Sequence, residues 1–153
     1  MWVPPEDKDP VVRHAPTRRS VALFGAVNVK TGQLITFMTP LFDASSFEIF
    51  LRLLLRHRRR GRRMVVVLDN ARYHHARTLL SYLGDHRDQL RLDYLPPYSP
   101  DLNPIERVWK LLRRLRTHNQ YFEKLEDLTS AVSEQLSIWH SPNSSLARLC
   151  CIT

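Results

Sequence analysis

The chain is poor in everything that would staple or anchor it from outside its own core. Its two cysteines, Cys150 and Cys151, are adjacent near the C-terminus, so no second pair completes a zinc site and no disulfide framework is available. His74 and His75 have no metal-binding partner at helical spacing, which argues against zinc. No apolar run approaches the roughly 20 residues of a transmembrane helix, and the opening MWVPPEDKDP lacks a signal-peptide pattern. A cytoplasmic protein without a membrane partner is expected. Acidic residues are also in deficit, 15 Asp plus Glu against 23 Lys plus Arg, which leaves a net charge of +8. A positive excess of that size points to a polyanion, and without a membrane segment nucleic acid is favoured.

What is present suits one domain: 153 residues, 43% of them hydrophobic, can supply a packed core. No repeat is found, but the hydrophobic period changes in a regular order. Residues 1–19, with Pro4, Pro5, Pro10 and Pro16 among charges, read as an extended or loop segment. VALFGAVNV (21–29) and QLITFMT (33–39) read as an antiparallel hairpin around the turn signal Lys30-Thr31-Gly32. Phe47, Phe50, Leu51, Leu54 and Leu55 recur at helical spacing, and the spacing predicts a helix ending near Gly61. MVVVL (64–68) reads as a strand buried on both faces. A helical stretch around Ala76–Leu83, a short strand LRLDYL (90–95) and a proline-rich loop follow. Stripes of Ile105, Val108, Trp109, Leu112 and Leu115, then of Leu125, Leu128, Val132, Leu136 and Trp139, mark two more helices. The order β-β-α-β-α-β-α-α predicts an α/β fold, a mixed sheet with flanking helices. Residues 1–140 would form the domain and 141–153 a C-terminal tail.

A right-handed βαβ crossover makes the strands at 64–68 and 90–95 parallel and brings their carboxyl ends to one edge, where open α/β sheets bind ligands. Asp69 is the first residue beyond the first of these strands, and Glu106 lies beyond the second, at the mouth of the next helix. Pro96, Pro97, Pro100 and Pro104 stiffen the loop between and so fix where Glu106 points. Each acid has an ordinary rival role. Asp69 is also a natural turn residue, and Asn103-Pro104-Ile105-Glu106 also reads as a helix start, with Asn at the N-cap, Pro at N1 and Glu at N3. Trp109 reads as core, since it shares a stripe with Val108 and Leu112.

Two stretches carry a resemblance. LDNARYH (68–74) and LPPYSPDLNPIERVW (95–109) resemble the two most characteristic motifs of the mariner-type DDE transposases, in particular their bacterial insertion-sequence branch: Asp-Asn-Ala-x-x-His after a strand, then Leu-Pro-x-Tyr-Ser-Pro-x-Leu-Asn-Pro-Ile-Glu-x-x-Trp. The likeness extends more weakly over residues 2 to about 118, including Phe24-Gly25-Ala26 and the Phe-x-x-Phe-Leu of 47–51. It implies a ribonuclease H-like fold that cuts and rejoins DNA with two divalent ions, Mg²⁺ or Mn²⁺, held by three carboxylates. By that resemblance Asp69 is the second acid and Glu106 the third, both metal ligands. His74 takes the motif histidine as a site-lining or DNA-contacting residue, and Asn70 lines the site beside it.

Basic residues cluster twice. RLLLRHRRRGRR (52–63) holds seven arginines, and the following helix adds Arg107, Lys110, Arg113, Arg114 and Arg116. A solvated helix end accounts for part of this. The second cluster is assigned to the DNA backbone through Arg107, Lys110, Arg113 and Arg114, with the protein nucleoid-associated when DNA-bound.

The departures from the family pattern are as informative. In the family the first catalytic Asp lies on the first, central strand, upstream of a Trp-x-Pro stretch that Trp2-Val3-Pro4 matches, and that strand is absent here, as is the N-terminal helix-turn-helix region. The sheet is therefore expected to lack a strand between those of 21–29 and 64–68, which leaves open edges. Asp43, in LFDASSF, reads as an ordinary N-cap residue and not a substitute acid. The resemblance thus implies the C-terminal part of a transposase catalytic domain, inactive alone. Its partners are DNA and the upstream half or full-length transposase; the alternative is a non-catalytic DNA-binding or interfering fragment.

Overall fold

The computed structural model describes residues 11–14 and 19–151. Trp2-Val3-Pro4 and the prolines at 4, 5, 10 and 16 lie outside them. The chain divides into two compact units, one of Met1–Pro40 with Pro104–Thr153 and one of Leu41–Asn103.

The first unit is an antiparallel sheet packed with helices. Strands β1 (Val11–His14), β2 (Arg19–Val27) and β3 (Leu34–Thr39) lie in that order, Val27 opposite Leu34 and Val11 opposite Ala22. The hairpin forms where the turn signal placed it: Asn28 Oδ1 accepts the amides of Lys30 and Thr31, and Gly32 turns at φ +75°, a backbone region other residues resist. Strand β1 takes the extended alternative for part of the segment read as extended or loop. Its pairing with β2 comes from a partner distant from the local prolines that dominated that reading.

Three helices complete this unit: α3 (Ile105–Arg116), α4 (Leu125–Trp139) and α5 (Ser144–Leu149). Leu23 and Leu34 of the sheet join Val108, Trp109, Leu112, Leu128, Val132, Leu136, Trp139, Leu146 and Cys150 in one core. The tail reading of 141–153 therefore gives way to a short helix that puts Leu146 and Cys150 inside. Asn143 holds it there by capping α5 through the Leu146 amide and donating to the Gly32 carbonyl.

The second unit carries the βαβ element. Strands β4 (Met64–Leu68) and β5 (Leu90–Tyr94) are parallel, Met64 opposite Leu90. Helix α2 (Leu79–Asp85) lies between them in sequence, and α1 (Ala44–Leu55) precedes both. Asp43 caps α1, accepting the Ser46 amide at 2.7 Å. The helix stops at Leu55, short of Gly61. Its apolar stripe ends there, and continuing it would stack Arg56 on Arg59 and Arg60, like-charge pairs that each cost a few tenths of a kcal/mol.

Burial corrects the reading of 64–68 as covered on both faces. Leu68 is buried, but Val65 and Val67 on the opposite face are each 49% exposed. The β-branched run reports strand propensity, and only a covering layer would have buried both faces. The five described strands fall into two sheets, β1-β2-β3 and β4-β5. Among the described strands none runs along the edge of β4 away from β5. No helix of the described residues is long and apolar enough to cross a membrane.

Candidate active site

Asp69 follows directly on β4 and is fixed on one carboxylate oxygen. Its Oδ1 accepts the Ala71 amide at 3.0 Å, the bond a plain turn aspartate would make. A second contact goes further. His74 Nδ1 lies 3.0 Å from the Asp69 carbonyl and 3.1 Å from Asp69 Oδ1. Both neighbours are acceptors, so Nδ1 carries the proton and donates to them. The geometry comes from a tight 3₁₀ turn over Arg72–His75, which folds the imidazole back five residues. The ring is 6% exposed and packs against Phe47 and Tyr73, each with centroids 4.5 Å away.

Asn70 works beside it as a cross-brace. Its Nδ2 donates to the Leu95 carbonyl at 2.6 Å, and its Oδ1 faces His75 Nε2 at 3.1 Å. His75 stacks on Tyr94, 4.2 Å between centroids, while the Tyr94 hydroxyl donates to the His74 carbonyl. The carboxyl ends of β4 and β5 are thereby locked to the turn that carries Asp69. Tyr94 was not singled out from the sequence, and His75 was weighed there only as a zinc ligand. The available signal was Tyr94 itself, an amphipathic ring whose hydroxyl needs a partner at a strand end.

Glu106 lies in the first turn of α3. That helix starts one residue later than the capping reading puts it, with buried Pro104 at its N-cap and Arg107 donating its amide to the Pro104 carbonyl. Its inner face is Val108, Trp109 and Leu112. Trp109 is core, as its stripe implies, and its ring fills the space above Gly25, where any β-carbon would overlap it. The glycine of the Phe24-Gly25-Ala26 stretch and the tryptophan of the proline-rich motif are thus two halves of one contact. That contact seats α3, and with it Glu106 one turn earlier.

The basic residues of α3 separate by environment. Arg107 Nη1 donates to the carbonyls of Leu149 and Cys151, and Cys150 Sγ lies 3.8 Å from the Pro104 carbonyl, so the end of α5 braces the start of α3. Burial pushes the Cys150 thiol pKa up, against a smaller opposing pull from Arg107. Arg113 is half-buried; desolvation holds its guanidinium pKa down, and the Glu106 charge pulls it partly back. Arg116 binds Gln135 and Glu134 on α4. Lys110 and Arg114 are exposed.

The structure therefore brings Asp69, Asn70 and His74 together in one unit, and Glu106 with Arg113 in the other. Both acids are hard oxygen donors of the kind Mg²⁺ and Mn²⁺ prefer. A carboxylate steadied on one oxygen by a buried imidazole has the outer-shell support typical of metal ligands. Among the described residues no three His, Cys, Asp or Glu side chains gather as a complete ligand set.

Residues 1–129 match the family described as DDE superfamily endonuclease. The uncharacterized protein y4pE/y4sA of Sinorhizobium fredii (strain NBRC 101917 / NGR234) is 31% identical over 108 residues, 71% of this chain and 76% of that protein. An uncharacterized 39 kDa protein of insertion element IS630 from Shigella sonnei is 28% identical over 110 residues, 72% of this chain. The chain spans only 32% of that longer protein. Among solved structures, the catalytic domain of Mos1 mariner transposase aligns with a TM-score of 0.71 at 18% identity, covering 93% of this chain and 72% of that one. The mixed α/β architecture is thus similar to a ribonuclease H-like catalytic domain.

Proposed function

The chain belongs to the DDE superfamily endonucleases, and from that membership we propose that it is the C-terminal part of a transposase catalytic domain of the mariner and IS630 type, a reading supported by its likeness to the IS630 protein and to the Mos1 fold. Its role would be metal-dependent DNA strand cleavage and transfer. The observation that carries this reading is Asp69, placed at the carboxyl end of a parallel strand and oriented by the buried His74. In this reading Asp69 and Glu106 are metal ligands, with His74 as a positioning residue for Asp69 and Asn70 lining the site beside it. Bound Mg²⁺ or Mn²⁺ would supply the charge that activates a water or 3′-hydroxyl and stabilises the leaving oxygen. Lys110 and Arg114, with Arg113 and Arg107 nearer the fold, would meet the DNA backbone. The protein would act in the cytoplasm, on the nucleoid.

Two acids of a three-acid site leave it incomplete, so the chain alone is proposed to be inactive. The part-length reading is supported by coverage: the chain aligns with 72% of the Mos1 catalytic domain and 32% of the IS630 protein. The partner would be an upstream polypeptide carrying the first acid. A second reading, a non-catalytic DNA-binding or transposase-interfering fragment, is favoured by an edge of β4 that no described strand pairs with and by the exposed Val65 and Val67, which suit pairing with another chain.

Nicking of supercoiled DNA in Mg²⁺ or Mn²⁺ tests both. The 153-residue chain alone should not nick, whereas adding a polypeptide with the first strand and its acid should restore nicking that Asp69→Ala and Glu106→Ala abolish. Binding without restored nicking would favour the interfering fragment. Metal-dependent nicking by the chain alone, lost in both variants, would overturn the claim of inactivity.

A further inference from the structure

The arginines of 56–63 are the positive groups that the proposed site leaves unused, and the structure gives them a definite form. Six of the eight residues are arginine, and no Asp or Glu occurs between Glu48 and Asp69. The segment is not a frayed helix end. Arg62 donates its amide to the Arg59 carbonyl at 3.0 Å, and Gly61 sits at φ +74° in the third position of that four-residue turn, as a type II turn requires. Arg58 Nη1 closes the loop on the Arg62 carbonyl at 2.6 Å. Arg59, Arg60, Arg62 and Arg63 are exposed around this tip, and among the described residues none of them forms an ion pair. The last acid before them, Glu48, is already taken by Arg52 at 2.7 Å.

We infer that the Arg59–Arg63 tip is a binding site for the phosphodiester backbone of duplex DNA, taken through guanidinium-phosphate contacts that read no sequence. A turn holds the backbones of Arg59 and Arg62 within about 7 Å of each other, so neighbouring guanidinium groups can reach adjacent phosphates. Repulsion among four unpaired cations is relieved only by an anion, and a polyanion relieves all four at once. Arginine is the residue type whose planar fork takes two phosphate oxygens together. An anionic membrane is the poorer fit. The segment RHRRRGRR holds no aliphatic side chain and no Phe, Trp or Tyr, whereas surface-bound segments need an apolar face to bury. The contrast with α3 strengthens the assignment, since Arg107 and Arg116 there are engaged by carbonyls, Gln135 and Glu134.

The inference rests on the proposed DNA-binding role, and salt titration separates the two. Binding of the whole chain to a random-sequence duplex is measured against salt for the wild type, for R59Q/R60Q/R62Q/R63Q and for K110Q/R114Q. Each phosphate contact contributes about 0.9 to the slope of log K against log salt. The tip variant should therefore lose roughly 2–4 from that slope and at least tenfold in affinity at low salt. The α3 variant should lose less than about 2. A wild-type slope retained by the tip variant would overturn the inference while leaving the DNA-binding role intact. A wild type that binds no duplex would overturn both. Vesicles of phosphatidylserine in phosphatidylcholine decide the remaining case: binding lost in the tip variant, with DNA binding unchanged, would assign the tip to membrane and overturn the inference. An unchanged unfolding midpoint confirms that the exposed glutamines leave the fold alone.

Discussion

Asp43 and Asp69 are the same side chain put to two uses. Asp43 accepts the Ser46 amide at the start of α1, and that bond, then the Ser46 hydroxyl, holds its carboxyl below the usual carboxylate range. A depressed folded-state pKa stabilises the fold above the unfolded value and loses that contribution as pH falls through the folded one. Asparagine caps as well as aspartate but does not titrate. Asp43→Asn should thus flatten the decline of the unfolding midpoint below about pH 5, and identical acid profiles for the two proteins would contradict this. Asp43 as a cap was legible because Asp-Ala-Ser-Ser before an apolar stripe is a local pattern. Asp69 as a candidate was legible from its motif and its place after a strand. Its pairing with His74 was not, because a five-residue reach requires the 3₁₀ turn, and nothing in Arg72-Tyr73-His74-His75 announces one.

At the scale of elements, periodicity located every helix from α1 to α4 and the parallel pair β4–β5, while ends and coverage escaped it. Helix α1 stops where its stripe stops, and the arginines beyond form a turn. Strand β1 was read no more sharply than extended or loop, and helix α5 as a tail, because each is held by distant partners, β1 by β2 and α5 by Gly32 and the core. The Gly25–Trp109 contact shows what the sequence holds without displaying. Both residues stood in recognised stretches, yet only packing shows that one exists to admit the other. Gly25→Ala should cost about 1–3 kcal/mol by overpacking. In a Trp109→Leu background, where the ring is gone, the same change should cost much less. Equal shifts in denaturant midpoint in both backgrounds would show that the contact does not seat α3.

For the molecule as a whole, charge and strand order pointed to nucleic acid and to an α/β fold, and the family match agrees with both. The described strands fall into two sheets, β1-β2-β3 and β4-β5. Exposure of Val65 and Val67 was not anticipated, because a run of valines looks the same whether or not a layer covers it. The proposal that matters most is that Asp69 and Glu106 are both metal ligands. Paramagnetic broadening by substoichiometric Mn²⁺ tests it most directly, read on the amide resonances of the full chain. Signals of residues 69–75 and 105–107 should broaden together, and Asp69→Asn should abolish both effects. Broadening confined to one of these segments, or found only elsewhere, would contradict it.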